Sequence, residues 1–253
     1  MILRNKNSLF SSMSKMESFF YKNIAPYYDS IFILGKNEKT FYDSFSIDKS
    51  MHIAEIGCGT GELALYFADR GAEVIGIDSD PWMVEQAAKK IQNKKNIRII
   101  ESDMLDTEKY SDSRFFDILF CMGNTLAHLG SGRIIEAFLL NAKKMMSTKS
   151  LFVFQLLNYK RILTRNIRNL PVIENKEIRF ERRYTSIIPS EIIFESKLLV
   201  KKNNESFIQS TKLFPLTIDV LNPILKNTGL KISGLVPGIH CGWKWVIVYT
   251  AMI

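Results

Sequence analysis

The stretch Ile53-Ala54-Glu55-Ile56-Gly57-Cys58-Gly59-Thr60-Gly61-Glu62-Leu63-Ala64 constrains the fold of this chain more than any other. Ile53 to Ile56 is a short apolar run that reads as a buried strand. The three glycines make a tight turn, and Glu62 to Arg70 has helical periodicity. Strand, glycine turn and helix is how an open α/β sheet brings a ligand to the carboxyl end of its first strand. Glycine is needed there because a Cβ blocks close backbone approach and disfavours positive φ.

The same alternation continues downstream. Glu73–Ile77 reads as the second strand, Pro81–Gln92 as a helix, Ile97–Glu101 as the third strand and Phe116–Cys121 as the fourth. Gly132–Met146 reads as a helix and Leu151–Leu157 as the fifth strand. This rhythm predicts parallel strands joined by right-handed crossovers, with helices on both faces. After Leu157 the rhythm changes. Arg179–Ile187, Glu191–Val200 and Ser206–Phe214 are three consecutive strands, which pair as an antiparallel meander. A helix over Leu216–Asn227, stopped by Gly229, and strands over Leu230–Leu235 and Trp243–Ala251 follow. Ahead of the sheet, residues 17–45 carry aromatics at helical spacing. Pro26 interrupts them, which predicts two short helices.

Glycine spacing separates two kinds of ligand. A dinucleotide fingerprint is Gly-x-Gly-x-x-Gly, but here the glycines stand at 57, 59 and 61, and the dinucleotide position holds Glu62. A glutamate there sets a carboxylate where pyrophosphate would lie. Asp78, at the end of the second strand, is placed to accept hydrogen bonds from two vicinal ribose hydroxyls, a feature common to both ligands. Ser79 and Asp80 are better placed than Asp78 to cap the helix that Pro81 begins.

Glu55-x-Gly57-x-Gly59-x-Gly61 resembles motif I of the class I S-adenosylmethionine (SAM) methyltransferases. Gly123-Asn124-Thr125-Leu126-Ala127-His128-Leu129 resembles the corresponding segment of glycine N-methyltransferase and its small-amine relatives. The Asn/Asp-Pro-Pro-Tyr/Phe motif of DNA and protein amide methyltransferases is absent. The resemblance runs from about Tyr21 to Ile253. It implies a Rossmann-like, seven-stranded methyltransferase sheet with an inserted antiparallel β lid, the last strand of the sheet running antiparallel. The expected organisation is a disordered N-terminus over 1–16, a core over 17–157 and 213–253, and a lid over 158–212.

The resemblance further implies SAM as cofactor, leaving as S-adenosylhomocysteine, with contacts from Tyr28, Glu55, Gly57, Cys58, Gly59, Gly61, Asp78, Ser79, Met83, Asp103, Met104 and Met122. Glu55 is a costly charge within a buried strand. By resemblance it lies under the cofactor, held by backbone amides or reaching toward the ligand's cationic end. Tyr21, Asn124 and Arg183 are the implied substrate contacts, and Asn124, His128 and Tyr184 the implied catalytic residues. Arg161, Arg179, Arg182 and Arg183 all fall where the family arginine clamps a substrate carboxylate. Adjacent strand residues point to opposite faces, so at most one of Arg183 and Tyr184 faces the pocket. His240 and Trp243 either line the site or pack.

Composition narrows the partners. No apolar run approaches the roughly 20 residues that span a bilayer, and the N-terminus lacks the apolar segment of a signal peptide. Met13 or Met16 serves equally well as the working start. Cys58, Cys121 and Cys241 have no metal-ligand spacing and fit a reducing cytoplasm. Net charge is +8. Between 158 and 212 Lys and Arg outnumber Glu twelve to six. Those lysines are interleaved with glutamates and lack the aromatic-and-arginine platform on which single strands stack. The expectation is therefore methyl transfer to a small molecule, at an amine nitrogen, by a cytoplasmic protein that binds neither membrane nor nucleic acid, with the oligomeric state left open and a homodimer among the options. An RNA-directed methyltransferase using the basic lid and a SAM-binding regulatory subunit without turnover stand as alternatives.

Overall fold

The computed structural model describes residues 15–111, 114–237 and 246–252. Its centre is a sheet of β1 (His52–Ile56), β2 (Glu73–Asp78), β3 (Ile97–Glu101), β4 (Phe116–Cys121) and β5 (Met146–Leu157). These five are parallel and lie in the order β3-β2-β1-β4-β5. The hairpin of β10 (Lys231–Pro237) and β11 (Val246–Met252) extends the sheet at the β5 edge, with β11 antiparallel to β5. All five residues of β1 are buried, as expected of a strand covered on both faces. Alternate residues divide between the two sides. Ala54, Ile56, Ile75, Ile77, Leu119 and Cys121 join one apolar cluster, and Ile53, Val74, Ile118 and Phe120 join the other.

The helices are α1 (Lys15–Ile24), α2 (Tyr28–Ile31), α3 (Lys36–Asp43), α4 (Glu62–Ala68), α5 (Pro81–Ile91), α6 (Gly132–Lys144), α7 (Tyr159–Arg165) and α8 (Ile218–Thr228). Pro26 sits in a 3-10 turn, Ala25–Tyr27, between α1 and α2, so the lead-in is broken into three short helices instead of two. The unstructured N-terminus expected from the sequence falls mostly outside the described residues, although α1 begins at Lys15. His240, Cys241 and Trp243 also lie outside them.

β5 begins five residues earlier than its apolar run suggests. Its polar start, Ser147-Thr148-Lys149-Ser150, hides the strand from a hydropathy reading, yet Met146 pairs with Phe116, and the Ser150 hydroxyl donates to the Phe116 carbonyl at 2.6 Å.

A second sheet, antiparallel throughout, comprises β6 (Ile173–Glu174), β7 (Ile178–Ile188), β8 (Glu191–Val200) and β9 (Glu205–Leu213) in sequential order. Tyr184, Ile192 and Leu213 on its inner face enter the larger core cluster. Ile178, Phe180, Leu198 and Val200 pack against Phe20, Ile24 and Ile31 of the lead-in. The amide of Phe214 donates to the Ala127 carbonyl at 2.9 Å, tying the end of β9 to the loop after β4.

Candidate active site

Strand order reverses between β1 and β4, and a cleft of about 840 Å³ opens at the carboxyl ends of β1 to β4, where an open α/β sheet takes its ligand. The turn after β1 forms its floor. Gly57 (φ +73°) and Gly59 (φ +54°) adopt the left-handed conformation. A Cβ on Gly57 would lie 2.7 Å from the Thr125 side chain, and one on Gly59 would lie 3.2 Å from the Tyr28 ring. Both positions therefore need glycine for conformation and for space. Gly61 does not line the cleft. It is the N-cap of α4 and packs on Ala87.

Glu55 is 4 % exposed and accepts a hydrogen bond from the Ala64 amide in the first turn of α4. Its carboxylate thus serves an open N–H of that helix end, where Gly61 offers no side-chain cap. Burial pushes its carboxyl well above the usual range. Asp78 accepts from the Gly59 amide at 2.7 Å through one oxygen and from the Asp80 amide at 2.9 Å through the other. Burial raises its carboxyl too, against those amide bonds. Asp80 caps α5, accepting from Trp82 at 3.0 Å and Met83 at 2.9 Å. Burial, reinforced by Asp78 and Glu101, raises its carboxyl to about 6 despite the two amides. Among the described residues, Glu55 Oε2 and Asp80 Oδ2 have no hydrogen-bond partner.

Asp103 and Met104 line the cleft after β3, together with Ser79, Met83 and Met122. Tyr21 and Tyr28 close it from the lead-in. Asp29, beside Tyr28, accepts from the Thr60 hydroxyl and pairs with Lys90 on α5; Lys90 also lies 3.3 Å from Glu62. One lysine thus joins the lead-in, the glycine turn and α5. Among the described residues six carboxylates line the cleft, those of Asp29, Glu55, Glu62, Asp78, Asp80 and Asp103, against one lysine, Lys212. Lys90 offsets Asp29 and Glu62, and burial raises the carboxyls of Glu55, Asp78 and Asp80. The lining is thus rich in acceptor oxygens, which suits a ligand with donors and positive charge and opposes a diphosphate.

At the far end the cleft is bounded by Gly123, Thr125 and His128 after β4 and by Ser210, Thr211 and Lys212 of β9. His128 is exposed there. Three residues expected at this end stand elsewhere. Asn124 is 8 % exposed and turned away from the cleft, donating to the Tyr159 hydroxyl at 2.8 Å and accepting from the Leu157 amide at 3.1 Å. It clamps the loop to the end of β5. Arg183 projects from the outer face of β7, 60 % exposed, paired with Glu195 at 2.6 Å. Strand parity puts Arg182, at 6 % exposure, on the inward face instead. Tyr184 shares that face and is buried behind the cleft wall. Asn158 caps α7 through the Arg161 amide.

Several cleft residues carry little sequence signal. Thr60, Asp80, Ser102 and Thr125 are positioned by the strand ends already identified, so proximity in sequence points to them. Asp29 follows the aromatic lead-in. Ser210, Thr211 and Lys212 reach the cleft only through the fold of the second sheet.

Residues 53–147 match a family model described as a methyltransferase domain. A putative methyltransferase, YqeM, of Bacillus subtilis is 26% identical over 119 residues, 47% of this chain and 48% of that protein. Ribosomal RNA small subunit methyltransferase A of Streptococcus equi subsp. zooepidemicus is 31% identical over 74 residues, 29% of this chain and 26% of that one. The chain spans less than half the length of these curated relatives. Among solved structures, an S-adenosylmethionine-dependent methyltransferase from Clostridium acetobutylicum superposes with a TM-score of 0.74 at 15% identity, covering 92% of this chain and 98% of that one. The sugar N-methyltransferase KedS8 from Streptoalloteichus sp. gives 0.61 at 13% identity, covering 98% of each. The chain has the fold of the class I SAM-dependent methyltransferases, and its residues 53–147 match their methyltransferase domain.

Proposed function

We propose that the protein transfers the methyl group of SAM to a small-molecule acceptor, at an amine nitrogen. One observation carries this reading: the glycine turn, Asp78 and Asp103-Met104 stand at the ends of three different parallel strands, yet line one acidic cleft. The residues present fit an adenosyl sulfonium. The glycine turn leaves a cradle that a Cβ would fill, Asp78 presents its carboxylate to a diol, and the unpartnered oxygens of Glu55 and Asp80 suit a ligand bringing hydroxyl donors and positive charge. A diphosphate would meet those carboxylates instead.

Asp78 holds the ribose, Asp103 reads the exocyclic amine of adenine, and Met83 and Met104 pack on the ring. Glu55 stiffens the turn from below. The bound cofactor supplies an electrophilic methyl group. The chain then has to place a neutral nitrogen in line with that methyl and exclude water, and orientation of this kind supplies several kcal/mol of barrier lowering. Tyr21 and Tyr28 cover the cleft, and Asn124 fixes the loop that forms its far wall. An amine must lose a proton before it attacks. His128, exposed at the acceptor end, is placed to receive it. The nitrogen assignment draws on the Gly123–Leu129 resemblance and on the sugar N-methyltransferase among the structural neighbours.

Calorimetric titration with S-adenosylhomocysteine tests the cofactor assignment. Wild type binds, and Asp78→Ala loses binding; micromolar affinity retained in the variant defeats the assignment. Turnover of methyl-labelled SAM with a panel of amines separates an enzyme from a binding subunit.

An RNA-directed reading draws on the ribosomal RNA methyltransferase relative and the basic stretch 158–212. Against it, Arg179, Arg183, Lys201 and Lys212 are each ion-paired with a glutamate of the same sheet, which leaves less charge to offer phosphates.

A further inference from the structure

Between α2 and α3 the lead-in passes along the mouth of the cleft. Tyr28 stands over Gly59 of the glycine turn, and Leu34 packs on the apolar cluster that holds Met122 at the end of β4. Phe32 and Ile33 lie between these two points, so they run from the cofactor end of the cleft toward its far end. Both line the cleft, and they are 41 % and 60 % exposed. The Phe32 ring is fixed there, its centroid 4.7 Å from that of Tyr28 and 5.9 Å from that of Phe180. The other wall is also apolar. Leu129, which packs on the cluster of the opposite sheet face, and Ile134, in the first turn of α6, line the cleft half-buried.

A single exposed apolar side chain is ordinary. Two in succession at the mouth of a concavity, with two more on its other wall, make an apolar strip of the kind that marks a binding surface. Charge at this end is sparse and committed. Among the described residues Lys212 is the one Lys or Arg lining the cleft, and it pairs with Glu191 at 3.0 Å. Arg183 pairs with Glu195 on the outer face, and Arg182 donates to the Pro171 carbonyl at 2.8 Å. The Thr125 hydroxyl donates to the Met122 carbonyl at 2.7 Å. Neither arginine is therefore placed as a clamp for a substrate carboxylate.

Resting on the methyltransferase reading above, we propose that the acceptor is an amine on a hydrocarbon body, which lies on Phe32, Ile33, Leu129 and Ile134 with its nitrogen toward the methyl group. Covering the strip takes apolar surface out of water. A carboxylate on the acceptor would meet no uncommitted lysine or arginine in this lining. Hydroxyls laid on the strip would lose water without gaining partners. Recognition thus falls on the size and apolarity of the body, and not on a charged group at its far end.

The test titrates propylamine, butylamine, pentylamine and hexylamine into protein saturated with S-adenosylhomocysteine, with glycine and D-glucosamine as polar comparisons. Wild type is expected to bind about fourfold more tightly for each CH2 added while the chain stays on the strip. It should bind hexylamine more tightly than either polar amine. Ile33→Asn and Ile134→Thr make one wall each more polar, and each should flatten the series while affinity for S-adenosylhomocysteine holds. Ile33 is exposed, so its variant should melt with wild type. The inference is overturned if affinity does not depend on chain length, if glycine or glucosamine binds as tightly as hexylamine, or if both variants keep the wild-type increments. Loss of S-adenosylhomocysteine binding in both variants also overturns it, because the strip would then belong to the cofactor site. Wild type that binds S-adenosylhomocysteine but fails the series keeps the cofactor reading and loses only this inference. Wild type that does not bind S-adenosylhomocysteine removes both.

Discussion

Asp80 sets its two oxygens in different surroundings. One of its oxygens caps α5, while the other is buried without a partner, and its carboxyl is raised to about 6 from 3.8. For an acid whose folded value is raised, the native state holds the proton more tightly than the unfolded chain does. Its contribution to stability therefore falls as pH rises from 3.8 to about 6, and is level above that. Asp80→Asn keeps a good cap and removes the titration. The wild-type minus variant difference in urea midpoint, measured without cofactor, should change between pH 4 and about 6 and flatten by pH 7. A parallel pair of curves would show that Asp80 does not titrate in this window. Gly57 gives a second prediction. At φ +73° with Thr125 at 2.7 Å, Gly57→Ala combines backbone strain with overpacking and should cost about 2–4 kcal/mol, read as a lowered melting temperature. The positions of these residues were legible to different degrees. Asp78 and Asp103 could be placed because apolar runs mark the ends of their strands. Asn124 could not, because its partner Tyr159 is brought to it by the fold across 35 positions. Choosing Arg182 over Arg183 required knowing which face of β7 is covered, and an alternation of arginines does not show that.

Among the elements, the lead-in connects the two sheets. Phe20, Ile24 and Ile31 pack on Ile178, Phe180, Leu198 and Val200, and Asp29 reaches the other way to Thr60 and Lys90. The cover over the cleft therefore depends on the second sheet. Leu198 is fully buried, and Leu198→Ala should cost about 2–5 kcal/mol. Hydrogen exchange should quicken in α1 and α2 while β1 and β4 stay protected, since local opening follows local packing. Uniform loss of protection would show that the two sheets unfold as one unit. Lys90→Met addresses the opposite anchor. It leaves Asp29 and Glu62 without their shared cation, so the lead-in should release more readily and S-adenosylhomocysteine should dissociate several-fold faster in stopped-flow measurements. The sequence disclosed the order of strands and the antiparallel run after β5, because both follow from hydrophobic period. It did not disclose this bracing, which depends on contacts between segments far apart in the sequence, from 31 positions between Asp29 and Thr60 to more than a hundred between the lead-in and the second sheet.

Over the whole molecule, charge is divided by location. The net +8 lies outside a cleft whose lining is acidic, and much of the positive charge of the second sheet is spent locally. Arg179 meets both Glu174 and Glu181, Lys201 meets Glu174, Arg183 meets Glu195, and Lys212 meets Glu191. Exposed pairs of this kind add little stability, but each partly cancels a charge that phosphate binding would need. Nucleic-acid affinity falls with salt in proportion to the phosphates neutralised, so a dedicated RNA surface with six or more contacts loses roughly a thousandfold between 50 and 200 mM salt. The arrangement here predicts weak RNA retardation at low salt that disappears near physiological ionic strength. It also predicts that methyl transfer to a small amine is hardly altered by added RNA. Gel-shift titration at both salt concentrations, alongside turnover with and without a structured RNA, decides between the two acceptor classes. Tight, steeply salt-dependent RNA binding together with methylation of that RNA would transfer the second sheet from a small-molecule cover to a nucleic-acid surface. The acidic end of the cleft would stand under either outcome, because its carboxylates come from the lead-in, β1, β2 and the segments that follow β1, β2 and β3, and none from the second sheet.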